Sequence, residues 1–201
     1  MSNLRFAIDF ARHRLKAKTR HGTHSPFVYK LVDEVIYDFS KKKVYAEVET
    51  QLKALHSDKR MINARLAQLI YRLVADLKPV NMLVSGEGLD VLSAYLEKAA
   101  PDVELYHVKD GTLPATLDKV DFAFIDTDTK EDTLRYFEAL LPKTHNGTLL
   151  IFNNVYGNKD MKEAWATIKA RPQVTVTINL FWMGLLYFRK GQVKEDFSIK
   201  F

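Results

Sequence analysis

Apolar residues recur in pairs one turn apart from Phe27 to Phe39: Phe27 and Val28, Leu31 and Val32, Val35 and Ile36, then Phe39. That spacing lays one wide apolar face along a helix. Ser25 and Pro26 ahead of it supply an N-cap and a proline at the first helical position. Upstream, residues 3–19 predict a basic amphipathic helix whose apolar members are Leu4, Phe6, Ile8, Phe10 and Leu15. A polar break from Arg20 to His24 parts the two. Downstream, helices are expected over 44–56 and 59–77, interrupted at Ser57 and Asp58 and closed by Pro79.

From residue 80 the period changes. Short apolar runs alternate with helical patterns, the signature of a parallel α/β sheet. Strands are expected at Val80–Ser85, Val103–Val108, 122–126 and Gly147–Phe152, and helices at Leu89–Ala99, 129–141 and after Asn158. A capping box at Thr129 to Asp132 opens the second of these helices. The third carries Met161, Ala164, Trp165 and Ile168 on one face. Val174–Leu180 and Leu185–Arg189 read as an antiparallel pair around Trp182, Met183 and Gly184, an edge that doubly wound sheets often carry. The organisation expected is an N-terminal helical extension, 1–78, and an α/β domain, 79–201, with a doubly wound, mostly parallel sheet and an antiparallel C-terminal edge strand.

Length and composition fit this picture. The chain has 201 residues, of which 47% are hydrophobic, enough for one sizeable core. It has no Cys, which excludes disulfides, thiolate metal sites and a cysteine nucleophile. No apolar run approaches the length of a membrane span, and no signal-peptide pattern opens the chain, so the cytoplasm is the expected compartment. Charge is uneven: residues 1–60 carry 13 Lys and Arg against 7 Asp and Glu. Arg12, Arg14, Lys16, Lys18 and Arg20 form the densest cluster. Such a cluster suits a solvated helix face, nucleic-acid phosphates, an anionic membrane surface or an acidic partner. The apolar side of the first helix needs cover from its own core or from a neighbour, so a homo-oligomer through the N-terminal helices is a further expectation.

Ligands of open parallel sheets sit beyond the carboxyl ends of the strands. Three such ends carry polar chemistry. The first is Ser85, Gly86, Glu87 and Gly88, where glycines allow close backbone approach and a helix N-terminus offers N–H groups to an anion. The second is Asp126, continuing to Thr127 and Asp128. The third is Asn153 and Asn154. A carboxylate and two amide oxygens on one rim would suit Mg²⁺ or Ca²⁺; equally, Asp126 could cap a helix and the Asn pair could form a turn.

In this order the residues resemble the class I S-adenosylmethionine-dependent methyltransferases, particularly the metal-assisted O-methyltransferase branch. The likeness is specific in the leader, from Arg20 through His21, Gly22, Thr23, His24, Ser25, Pro26, Phe27 and Val28 to Tyr29. It is specific again from Met161 to Trp165, from Val174 to Phe181 and at Gly184. Between 84 and 120 it is poor. The resemblance implies a Rossmann-like fold, S-adenosylmethionine lying over Ser85, Gly86, Glu87 and Gly88, Asp110 at the ribose, and Asp126 both beside the cofactor and, with Asn153 and Asn154, at a metal.

Departures from the family pattern are concentrated in the cofactor half. Val84 stands where the family has an acid at the end of the first strand, Asp90 where it has a later glycine, and Asn153 where it commonly has Asp. Residues 86–121 leave 36 positions for what the family builds from three helices and two strands, which need roughly 60 residues. One strand–helix unit is therefore expected to be missing, and with it the loop that frames the adenine. No catalytic residue is assigned; His21, His24, His107 and His145 are scattered. The readings that follow are a methyltransferase-like binding or assembly module without activity, an active O-methyltransferase on a small-molecule or protein hydroxyl, and a nucleic-acid binder through the basic N-terminus.

Overall fold

The structure is a computed structural model describing residues 2–22, 24–54 and 62–201. The expected break at Ser57 and Asp58, and Thr23 of the leader, lie outside the described residues. Its helices are α1 (Ser2–Lys16), α2 (Pro26–Leu31), α3 (Lys43–Ala54), α4 (Ala64–Leu77), α5 (Asp90–Ala99), α6 (Lys130–Leu140) and α7 (Lys159–Ala170). Its strands are β1 (Met82–Ser85), β2 (Leu105–Val108), β3 (Phe122–Ile125), β4 (Leu149–Asn153), β5 (Val176–Asn179), β6 (Met183–Tyr187) and β7 (Glu195–Ser198). They form one sheet in the order β2-β1-β3-β4-β6-β5-β7.

Strands β1 to β4 are parallel, and the antiparallel C-terminal strand is β6, hydrogen-bonded to both β4 and β5. One further strand, β7, lies parallel to β5 and extends that edge. On the other side the sheet ends at β2 among the described residues. The strand–helix unit expected to be missing is missing here: the chain passes from β2 to β3 through residues 109–121, which carry no helix or strand.

Both faces of the sheet are covered, so β1 and β3 are buried at every position. One face packs on α2 and α4 through Val28, Leu31, Leu69, Ile70 and Leu73, which share a cluster with Met82, Val84, Phe122 and Phe124. The other face meets α6 and α7 through Phe137, Leu140, Trp165 and Ile168. Gly184 of β6 makes the second contact possible, because a Cβ there would lie 2.4 Å from the Trp165 ring. The local signals act as expected: Ser25 accepts from the Val28 N–H, Thr129 from Asp132 and Asn158 from Met161. Past Leu31, α2 widens into a π-type turn over Val32–Ile36.

Candidate functional site

The rim at the carboxyl ends of the parallel strands is set by register. Ser85 lies opposite Val108 on one side and Ile125 on the other, and Ile125 lies opposite Phe152. The residues that follow therefore share one edge: Gly86, Lys109 and Asp110, Asp126, and Asn153. The connections leave β1 in opposite directions, to β2 and then across to β3, so this is the topological switch point of the sheet.

Two contacts knit the rim. The Asp126 N–H donates to the Ser85 carbonyl at 2.8 Å, and Asn153 Nδ2 donates to Asp126 Oδ1 at 3.0 Å. Gly86 has φ +139°, and a Cβ there would stand 2.8 Å from Asp126 Cβ. The first glycine of the turn thus has a packing reason of its own: the Asp126 side chain lies against it. Gly88 also has positive φ, at 65°. Glu87 is exposed, and Asp90 opens α5, where its charge complements the helix dipole.

The outer half of the rim is different in kind. Val84 is 1% exposed and belongs to the apolar cluster beneath α2 and α4, so no carboxylate is offered at the end of β1 to a ribose or an amine. His107 and Asp110 are exposed on the edge strand and its turn, with Asp110 and Gly111 both at positive φ. Asp110 is thereby a tight-turn residue. Beyond β2 no strand carries a loop that could frame an adenine, among the described residues. This half of the rim therefore lacks, among the described residues, the buried acid and the further strand that the resemblance implies for a cofactor.

Of the residues expected at a metal, Asp126 and Asn153 are brought together and Asn154 lies in the turn that follows. Asp126 and Asn153 are joined by their own hydrogen bond. Asn154 turns away at positive φ, its N–H donating to the Trp182 carbonyl at 2.6 Å. Among the described residues no group of three or more His, Asp or Glu is positioned to hold an ion. The histidines are not gathered there: His24 and His107 are exposed, and His145 pairs with Asp121 at 2.8 Å, beside the start of β1. The side chain of His21 lies outside the described residues.

A second cluster, on α1, went unnoticed in the sequence. The helix presents Arg5, Asp9 and His13 to the protein. Arg5 donates to the Gly157 carbonyl, Lys162 pairs with the buried Asp9 at 2.6 Å, and His13 Nε2 meets the Asn179 carbonyl at 3.1 Å. Burial pulls the His13 pKa below its ordinary value; the Asn179 carbonyl opposes this, and the Arg14 charge reinforces it. Around them, Phe6, Phe10, Tyr156 and Trp182 pack on Phe181. The only signal available was an acid and a histidine four residues apart, one face of an otherwise basic helix. Leu4, Ile8 and Leu15, expected on the apolar side, are instead exposed, as are Arg12, Arg14, Lys16, Lys18 and Arg20.

No protein-family model matches the chain, and no curated protein matches it in sequence. Solved structures do resemble it. A methyltransferase of Podospora anserina, PaMTH1, bound to S-adenosylhomocysteine, superposes with a TM-score of 0.59 at 12% identity, over 84% of this chain and 100% of that one. The O-methyltransferase TomG of Streptomyces achromogenes, in complex with S-adenosylmethionine, gives 0.54 at 14% identity, over 81% and 95%. A methyltransferase of Geobacter sulfurreducens gives 0.53 at 18%, over 75% and 90%. The chain thus has the fold of the class I S-adenosylmethionine-dependent O-methyltransferases.

Proposed function

We propose that this chain is a methyltransferase-fold module that works by binding or assembling with a partner and transfers no methyl group. The observation that carries the reading is the outer edge of β2: among the described residues no further parallel strand lies beyond it to enclose the adenosine half of a cofactor. Val84 supports it, because a buried valine offers neither charge nor hydrogen bond where the family has a carboxylate. The Asn153–Asp126 hydrogen bond adds to it by occupying two of the groups a metal-assisted transfer would use.

A second reading has its own support. The Gly86–Gly88 turn and Asp126 stand at the switch point of the sheet, and TomG and PaMTH1 hold S-adenosylmethionine and S-adenosylhomocysteine respectively. On that reading the chain is an O-methyltransferase whose cofactor lies over Gly86 and Gly88, with Asp110 near the ribose. Isothermal titration with S-adenosylmethionine and S-adenosylhomocysteine, with and without Mg²⁺, separates the two. The first reading expects no binding heat from folded protein. Micromolar binding of either ligand overturns it.

A further inference from the structure

On the helical side of the molecule, the segment ahead of α3, the first turns of α3 and the helix α4 line a cleft of about 560 Å³. That lies within the range of small-molecule sites, about 300–1,000 Å³. Its chemistry is one-sided. Arg72 is only 6% exposed, yet among the described residues its guanidinium meets neutral acceptors alone: Nε donates to the Val35 carbonyl at 2.8 Å, and the two terminal nitrogens to the Ile36 carbonyl at 3.2 Å and the Tyr45 hydroxyl at 3.3 Å. The two carbonyls are those left over at the end of the π-type turn. A helix end offers only about half a unit of negative charge, so this buried cation is incompletely neutralised.

Arg65, on the first turn of α4, is held by aromatic rings and not by an acid. Its guanidinium carbon lies 5.5 Å from the Phe39 ring centre and 4.6 Å from that of Phe201. A guanidinium fixed through its face keeps its N–H fork available for a planar or tetrahedral anion. Lys42 is already neutralised by Asp38 at 2.7 Å. Lys41, Arg65 and Arg72 have no carboxylate within ion-pair distance among the described residues. Against these three cations the cleft sets one acid among the described residues, Glu49. The excess matches a dianion, and exposed Phe39 with Tyr45 supplies an apolar wall beside it.

We infer that this cleft binds a small phosphate monoester, its phosphate at Arg65 and Lys41 over the buried charge of Arg72, its apolar or planar body against Phe39 and Tyr45. The cleft shares no lining residue with the strand-end rim and does not depend on how the cofactor question is answered.

The test is isothermal titration of the full chain with phenyl phosphate, with phenol as the uncharged control. Phenyl phosphate is expected to bind and phenol not to. Arg65→Gln and Lys41→Gln should each weaken binding about tenfold or more, the worth of one charge-assisted hydrogen bond, while thermal melts show both variants folded. Lys119→Gln, outside the cleft, should bind as the parent does. Excess S-adenosylhomocysteine should leave the affinity unchanged. Silence with phenyl phosphate overturns the inference. So does equal weakening by all three variants, which marks general charge attraction, or competition by S-adenosylhomocysteine, which moves the phosphate to the rim.

Discussion

The two ends of the sheet are built to different standards. At the β7 side, leader and tail are fastened by specific bonds: the Lys18 N–H to the Ser198 carbonyl at 2.8 Å, the Tyr37 hydroxyl to the Lys200 carbonyl at 2.8 Å, and Gln192 to the capping Ser25 at 3.0 Å. Arg189 stacks 4.0 Å over Phe27, which itself meets Tyr187 edge-on. At the β2 side, the strand is four residues long and half exposed, and it ends in a turn of exposed polar residues. The stretch that most resembles a known leader is therefore the one that clasps the sheet. The stretch that departs from the family is the one where a cofactor would need walls. Specific long-range contacts thus hold the β7 side, while the β2 side ends in a short strand and an exposed turn.

The largest effect that would break this contrast is expected at Phe181, the buried hub beneath α1. Phe181→Ala should lower stability by about 3 kcal/mol and free α1, read by chemical denaturation and by proteolysis within residues 2–16. Lys162→Met leaves the buried Asp9 with Arg5 alone, at 3.7 Å; a loss of about 1–2 kcal/mol is expected from the same melts. His13 sharpens the comparison through pH. Its pKa in the folded state lies below the ordinary 6.5, so the unfolded chain takes the proton first. Stability should then hold above that value and fall as the pH drops below it. Melting points taken at about pH 7.5 and about pH 5.5 should differ more for the parent than for His13→Gln. The smallest effect belongs to the trimmed side: Glu87→Gln should change stability by no more than about 0.5 kcal/mol.

Much of the contrast was legible in the sequence. The apolar runs of β1, β3 and β4 announce buried parallel strands, and the 36 positions between 86 and 121 are too few for the family's full set of elements, a limit of chain length that no packing can evade. Capping at Ser25, Thr129 and Asn158 is local chemistry, and so readable. What escaped depends on distant partners. β7 is Glu-Asp-Phe-Ser, half exposed and without an apolar alternation, and becomes a strand only because the β5 edge is there to pair with it. The orientation of α1 escaped for the same reason: Asp9 and His13 turn inward because Lys162 and Asn179 await them, and periodicity counts polar residues as outward. At the rim, the approach of Asp126 to Gly86 gives the glycine a packing role that a motif reading assigns to a ligand.

The pairing of Lys18 with Ile199, beside the last strand, joins segments from opposite ends of the sequence. During synthesis, the residues around Lys18 precede residues 195–199 and cannot take up this pairing until those follow. Closing so long a loop carries an entropic cost that delays folding. Until then β5 presents an open hydrogen-bonding edge, the kind of surface on which nascent chains aggregate. The clasp that fixes the finished molecule thus makes its biogenesis wait on residues 195–199, and a chain halted before them would keep that edge open for quality control to recognise.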